Sequence, residues 1–407
     1  MISAGRRAAF LSLLNRKPNF SCQKEEDERL AERIFFGTIQ HERLLDDCLQ
    51  DYARKPLQRL KPQVLVILRM SVYQILFLDR IPHSAVINDA ANLCRECKSE
   101  YAAGLVNALL RKVSSNRDTQ LSKPRKAEIR YSHPDWISER LVRDFGEETA
   151  LAFMEANESV PDLRLQINTN LLSLEEFCIH LDRAGIEILD RNEQLHSVLV
   201  RSMSPGFIPG YEEGFFYVQD DAARTAVYLC EPLKGLRLLD ACAAPGGKSC
   251  AASIAGASVL ACDISEERLQ RCRENFERLH LSIPIQKQDA SCFFPDWQDS
   301  FHIVLADVPC SGTGIIRKHP EIREKKETDL LSLLDHQKKI LRNLSRYVKP
   351  GGVLLYSTCS VLCEENEEQV KVFLTETSAF SLREEYRSWP HINGNDGFYA
   401  AKLQKEK

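Results

Sequence analysis

The sequence predicts an all-helical front over residues 1–125 and, from about 236 onward, an open and mainly parallel α/β sheet covered by helices on both faces. Three observations predict this. Apolar residues recur at spacings of three and four through AERIFFGTIQHERLLDDCLQDYA and PQVLVILRMSVYQILFL, with no alternating pattern before residue 125. Between 162 and 220 the period drops to two, as in strands. From 236 onward, strand-like and helix-like segments take turns.

The start, MISAGRRAAFLSLLNRKPNF, has too short an apolar stretch and no small-residue cleavage site for a signal peptide, so it reads as an amphipathic first helix. PQVLVILRMSVYQILFL reads as a buried helix or helix pair, and IPHSAVINDAANLCRECKS and GLVNALLRKVSS continue the helical pattern. The polar stretch 114–126, SSNRDTQLSKPRK with Pro124, reads as a linker, and YSHPDWISERLVRDFGEETALAFMEANES is helical again. Strands are expected at DLRLQIN (162–168), IEILD (186–190), SVLVRS (197–202) and GFFYVQD (214–220), with one helix at SLEEFCIHLDRAG. The later strands are LRLLDA, SVLACDI, PIQKQDA, HIVLADVP and GVLLYST, and helices begin near Gly247, Glu266, Thr328 and Glu365.

A length of 407 residues allows two or three domains, and 43% hydrophobic with 28% charged residues fits a soluble globular protein. No apolar run approaches the roughly 20 residues that span a bilayer. The 14 cysteines follow no spacing framework, which fits reduced thiols in a cytoplasmic protein. Cys94 and Cys97 form a single CxxC with no second pair, so no metal is expected. Residues 1–125 carry 21 Lys+Arg against 14 Asp+Glu, a net +7, whereas the remainder carries −11. A basic front on an acidic body suggests an anionic macromolecular partner for that front.

Ligands of open α/β sheets bind beyond the carboxyl ends of the strands, and the informative residues sit there. After LRLLDA the chain runs through Asp240, Cys242, Ala243, Ala244, Pro245, Gly246, Gly247 and Lys248, a turn whose glycines let the backbone approach a ligand at a helix N-terminus. The second strand ends in Asp263, 23 residues after Asp240, where an acid accepts hydrogen bonds from ribose hydroxyls. The third ends in Gln288-Asp289-Ala290, placed for adenine. An adenosine-bearing cofactor follows, either NAD or S-adenosylmethionine, since the loop is not GxGxxG.

The fourth strand separates the two. Asp307-Val-Pro-Cys310 sets an acid, a rigid proline and a thiol at the same crevice, and the edge YSTCS adds Cys359. Carbon 5 of cytosine is a poor nucleophile. A thiolate adding to C6, with an acid hydrogen-bonded to N3, turns the ring into an enamine that accepts a methyl group at C5. That chemistry needs a thiol whose usual pKa of about 8.5 is lowered or offset. A cysteine is more often a small buried hydrophobe, which suffices for Cys242, Cys262 and Cys272. Position alone leaves open which of Cys310 and Cys359 attacks. Lys248 suits the carboxylate of the cofactor.

LLDACAAPGGKS, ADVPCSGTGIIRKHPEI and YSTCS resemble the RNA cytosine-C5 methyltransferases that include the Sun proteins, over roughly 160–407. RMSVYQILFLDRIPHSAVINDAA and GLVNALLRKV resemble the NusB fold. Together they resemble the bacterial small-subunit ribosomal RNA methyltransferases end to end. The resemblance implies a NusB-like RNA-binding domain over 1–125, a helical linker over 126–160, a small α+β RNA-binding segment over 161–220 and a Rossmann-like class I methyltransferase domain over 221–407. It implies Cys359 as nucleophile, Cys310 as the thiol assisting release, and Asp307 polarising the base. It assigns S-adenosyl-L-methionine to Cys242, Ala243, Ala244, Pro245, Gly246, Gly247, Lys248, Asp263, Arg268, Asp289 and Asp307. It points to cytosine 967 of 16S rRNA, and to DGFYAAKLQK as a closing strand at the sheet edge.

Three positions depart from the family pattern: Gln166 stands where an arginine is usual, with Arg164 two places earlier; Ala223 replaces a serine; and HPEIREKK lacks an aromatic. A base that must enter a crevice points to single-stranded or loop RNA, reached before full subunit assembly. No membrane and no obligate protein partner are implied. Two other functions compete. One is an RNA-binding assembly factor with an inert methyltransferase half, against which the intact Cys359, Cys310, Asp307 and Lys248 count. The other is the same chemistry on tRNA, which the NusB-like front disfavours by analogy.

Overall fold

The computed structural model describes residues 2–407, which divide into a helical unit ending at Glu158 and a mixed unit, Ser159–Lys407. The helical unit contains α1 (Ala4–Asn15), α2 (Glu25–Gln40), α3 (Glu42–Gln50), α4 (Pro62–Phe77), α5 (His83–Glu96), α6 (Ala103–Ser115), α7 (Arg117–Ser122), α8 (Ala127–Arg130) and α9 (Asp135–Ala156). The apolar segment read as a helix or helix pair is the single helix α4, and Ile67, Leu68 and Ile75 sit on it in the core with Ile34, Leu49 and Leu110. A buried ion pair, Arg6 Nη1 to Asp89 Oδ2 at 2.7 Å, ties α1 to α5, and Arg6 Nε also donates to Gln74 on α4. No described helix is long and apolar enough to cross a membrane.

The stretch 114–126 is not a free linker. Arg117 donates to the carbonyls of Ile75 and Leu76, satisfying the open C-terminal end of α4. Arg125 Nε lies 2.7 Å from Asp47 Oδ2, and Gln120 is buried. Residues 126–158 continue the same unit: Ser132 Oγ accepts from Leu44 N, and Arg43 donates to His133 O. Gly146, at φ +81°, breaks α9 in the middle.

The mixed unit opens with β1 (Leu163–Ile167), α10 (Leu174–Arg183), β2 (Ile188–Asn192), β3 (Ser197–Val200) and β4 (Phe216–Val218). These strands form an antiparallel sheet in the order β2-β3-β1-β4, and Leu165, Val198, Val200 and Phe216 pack against Phe177 and Leu181 of α10. Ser173 and Glu176 cap α10 reciprocally. The two unusual positions of RLQIN converge on one acid. Gln166 Nε2 donates to Asp221 Oδ1 at 2.7 Å, and Arg164 Nε lies 3.4 Å from Asp221 Oδ2. Gln166 is thus spent inside the fold.

The chain continues through α11 (Asp221–Tyr228), β5 (Arg237–Asp240), α12 (Gly247–Ile254), β6 (Ser258–Asp263), α13 (Glu266–Arg278), β7 (Ile285–Lys287), β8 (Phe301–Asp307), α14 (Glu327–Leu344), β9 (Val348–Thr358), α15 (Glu367–Glu376), β10 (Phe380–Ser388), α16 (Pro390–Asn393) and β11 (Phe398–Lys405). Strand order is β10-β11-β9-β8-β5-β6-β7, with β9 through β7 parallel and the last two strands antiparallel. One apolar cluster joins the sheet to α11, α12 and α13, the other to α14 and α15. The closing strand is not at the edge: β11 inserts between β9 and β10, and β10, absent from the strands expected above, is the edge. Strand order reverses at β5, so the crevice lies beyond Asp240 and Asp307.

Candidate active site

At the end of β5, Asp240 is 1% exposed and accepts from Ser249 Oγ at 2.7 Å, while its Oδ1 is buried without a hydrogen-bond partner. Burial pushes its carboxyl up to about 6, against the pull of the Ser249 hydrogen bond. The next residues turn sharply. Ala243 N donates to Cys262 O at 2.7 Å, Gly246 N to Ala243 O at 2.7 Å, and Ala244 N to Asp263 Oδ2 at 3.4 Å. Gly246 has φ +104°, and a Cβ there would sit 2.7 Å from the Phe276 ring, so the turn needs glycine.

Asp263 ends β6, and its Oδ1 accepts from Ser265 N at 3.0 Å. Arg268, on α13, reaches back to Ala244 O at 2.7 Å and lies 3.4 Å from Asp263 Oδ2. Asp289 follows β7. Burial alone would raise its carboxyl, but hydrogen bonds from Ser291 N and Oγ at 2.8 and 2.7 Å hold it below the usual range. A sharp turn at a helix N-terminus, an acid closing each neighbouring strand, and an orphaned buried oxygen on Asp240 fit an adenosine-bearing cofactor.

Lys248, on the first turn of α12, places Nζ 2.7 Å from Asp307 Oδ2 and 5.1 Å from the centre of the Phe398 ring. Burial would lower its pKa, but the Asp307 carboxylate outweighs burial and raises it. Asp307 Oδ1 accepts from Ser357 Oγ at 2.8 Å. Beyond Asp307, the Sγ atoms of Cys310 and Cys359 lie 3.2 Å apart, and both thiols are free. Contact with Cys359 and burial push the Cys310 thiol well above its ordinary pKa.

The loop carrying Cys310 is fixed to the end of β9 by Gly314 N donating to Cys359 O, and to the start of β11 by Gly397 N donating to Gly314 O, both at 2.9 Å. A Cβ on Gly314 would stand 1.9 Å from Gly397 O, so this approach requires a glycine. A cavity of about 420 Å³ opens beside Lys248 and Asp307, also lined by Asp240, Ala243, Ala244, Pro245, Gly247 and Gln219. Asp263, Arg268, Asp289 and the two cysteines are outside its lining; so is Cys242, whose thiol burial raises well above the ordinary range. Sequence reasoning missed Ser249, Ser357 and Gln219. Ser249 and Ser357 lay within the motifs LLDACAAPGGKS and YSTCS, and Gln219 within the strand GFFYVQD, but none had been given a role.

Fold and site define a class I S-adenosylmethionine-dependent methyltransferase. The model for the 16S rRNA methyltransferase RsmB/F family matches residues 227–404, that for its ferredoxin-like domain 133–203, and that for the NusB family 5–115. Ribosomal RNA small subunit methyltransferase B of Klebsiella pneumoniae is 32% identical over 397 residues, covering 94% of this chain and 91% of that one. The Proteus mirabilis protein of the same name is 32% identical over 391 residues, with the same coverage. This chain belongs to the RsmB/F rRNA methyltransferase family and is an S-adenosylmethionine-dependent rRNA methyltransferase. Among solved structures, PH0851 superposes with a TM-score of 0.81 at 23% identity, covering 100% of this chain and 99% of its own. NSun6 from Pyrococcus horikoshii with SFG superposes with a TM-score of 0.60 at 20% identity, covering 67% and 98%. Both likenesses concern the fold.

Proposed function

We propose that the protein methylates C5 of a cytosine in small-subunit rRNA, cytosine 967 of 16S rRNA, through a covalent bond between Cys359 and C6. The observation that carries this reading is the 3.2 Å approach of Cys310 Sγ to Cys359 Sγ, at the rim where Asp307 ends β8. The relatives named as small subunit methyltransferase B support the substrate.

In this reading Asp307 hydrogen-bonds the N3 side of the base, and Cys359, as thiolate, bonds to C6. The ring electrons displaced by that bond collect at C5, which is then nucleophilic. S-adenosylmethionine supplies the methyl group. A base then removes the C5 proton, the C5=C6 double bond reforms, and the sulfur of Cys359 leaves with its electron pair. Cys310, a thiol kept protonated by its surroundings, donates a hydrogen bond to that departing sulfur. The division of labour is the one the family resemblance implies, and the raised Cys310 thiol beside Cys359 supports it.

The loop from Cys242 to Lys248, with Asp263, Arg268, Asp289 and Asp307, would hold the cofactor. The small sheet and the basic residues of 1–125 grip flanking RNA backbone, in the cytoplasm and before the subunit is fully assembled. Bisulfite mapping of small-subunit rRNA with and without the protein tests the proposal. Protection of cytosine 967 that depends on the protein is expected, and an unchanged map would overturn it.

A further inference from the structure

Beneath the two thiols lies a polar cluster that the chemistry above leaves unused. Glu365, on the short turn before α15, is 0% exposed. Its carboxylate accepts from Ser311 N at 2.8 Å, Ser311 Oγ at 2.5 Å and Gln337 Nε2 at 2.9 Å. The same Gln337 nitrogen donates to Pro309 O at 2.9 Å. Both chain neighbours of Cys310 are therefore held from one side.

Asn366 treats Cys359 in the same way. Its Oδ1 accepts from Thr358 Oγ1 at 2.5 Å, and its Nδ2 donates to Ser360 O at 3.0 Å. Across the middle, Ser360 Oγ lies 3.2 Å from Ser311 Oγ and 3.0 Å from Thr313 Oγ1. Tyr356 OH donates to Glu365 O at 2.5 Å, fixing the pair to β9. Buried polar groups must find partners; here four of those partners, Pro309, Ser311, Thr358 and Ser360, are the chain neighbours of the two thiols.

We infer that Glu365 and Asn366 are positioning residues, a two-residue clasp that holds the Cys310 and Cys359 loops in register so that the thiols stay together. The inference rests on the two-thiol reading above and adds what enforces its geometry. Neither residue touches the reacting atoms. Loosening the clasp leaves Cys359 able to attack but moves Cys310 away from the sulfur it must help to leave. The expected defect is slow release, with accumulation of the covalent RNA adduct.

The test compares the full chain with Glu365→Ala and Asn366→Ala, all in a Cys97→Ser background so that the Cys94–Cys97 pair does not report. Phenylarsine oxide, which needs two adjacent thiols, measures their proximity without catalysis, and Cys310→Ala gives the single-thiol baseline. Each clasp variant should bind the arsenical about tenfold or more weakly and carry a larger fraction of RNA-linked protein at steady state, with cofactor affinity unchanged. Glu365→Gln, which keeps an acceptor for Ser311, should recover part of both. Arsenical affinity and adduct fraction equal to the parent would overturn the clasp. If circular dichroism shows Glu365→Ala unfolded, Ser311→Ala carries the same comparison. A parent that binds the arsenical but never methylates cytosine overturns the two-thiol reading instead.

Discussion

Lys248 and Asp307 form a 2.7 Å ion pair between the first turn of α12 and the end of β8, and Ser357 donates to the carboxylate oxygen that Lys248 leaves free. Asp307 is thereby held from the neighbouring strand β9 and from α12. Ser357→Ala removes one hydrogen bond to a charged group, a loss of about 1.5–3 kcal/mol where the geometry matters. A fall in kcat of roughly 10- to 100-fold is expected, with RNA KM little changed because Ser357 is 1% exposed. Steady-state kinetics on an RNA oligonucleotide decide it; an unchanged kcat would show that Asp307 is oriented without Ser357.

Asp240 gives a pH dependence of stability. Its carboxyl is raised to about 6 in the folded chain, above the ordinary value near 3.9. Between those values the folded state binds the proton and the unfolded state does not, so the contribution of Asp240 to stability is present below pH 4 and lost as pH rises through 6. Asp240→Asn keeps an acceptor for Ser249 without the charge. Relative to the parent, it should gain about 2–3 kcal/mol on going from pH 4 to pH 7. Urea unfolding of both proteins at both pH values reads the difference directly, and a pH-independent difference would contradict it.

Gly314 faces Gly397 O so closely that a methyl group has no room. Gly314→Ala should cost about 1–3 kcal/mol as the loop is pushed from β11, lowering the thermal midpoint. Because the same residue donates to Cys359 O, activity should fall further than stability alone explains. Normal turnover by a destabilised but folded variant would show that the thiol tolerates this shift.

Residues 1–125 carry the net +7. If that front grips RNA, replacing four of its exposed basic residues, Lys55, Arg80, Arg111 and Lys112, by glutamine should weaken binding. The dependence of log K on log salt should also flatten, by about 0.7 for each phosphate that is no longer neutralised. An unchanged slope in filter binding would remove those residues from the RNA surface.

The strand-end motifs were legible because a parallel sheet places its ligands at carboxyl ends, and each motif carries its own turn chemistry. Glu365 was not legible. It lies in CEENEE, where a run of acids reads as a solvated helix start, whereas in the fold Ser311 and Gln337, distant in sequence, bond its buried carboxylate. The place of β11 between β9 and β10 depends on an antiparallel pairing that no local pattern encodes. The edge strand FSLREEYRS hides for a different reason: most of its residues remain partly or fully exposed, so its apolar alternation is weak. The polar stretch 114–126 looked free because Arg117 and Arg125 act on carbonyls and an acid distant in sequence.

The roles of the two sulfurs are tested most directly by incubating undermodified small-subunit RNA and S-adenosylmethionine with Cys310→Ala and, separately, with Cys359→Ala, then separating the products on a denaturing gel. A slow RNA-linked band with Cys310→Ala, and neither band nor methylation with Cys359→Ala, is the expected result. A linked band only with Cys359→Ala, or methylation by that variant, would contradict the assignment of Cys359 as the attacking thiol.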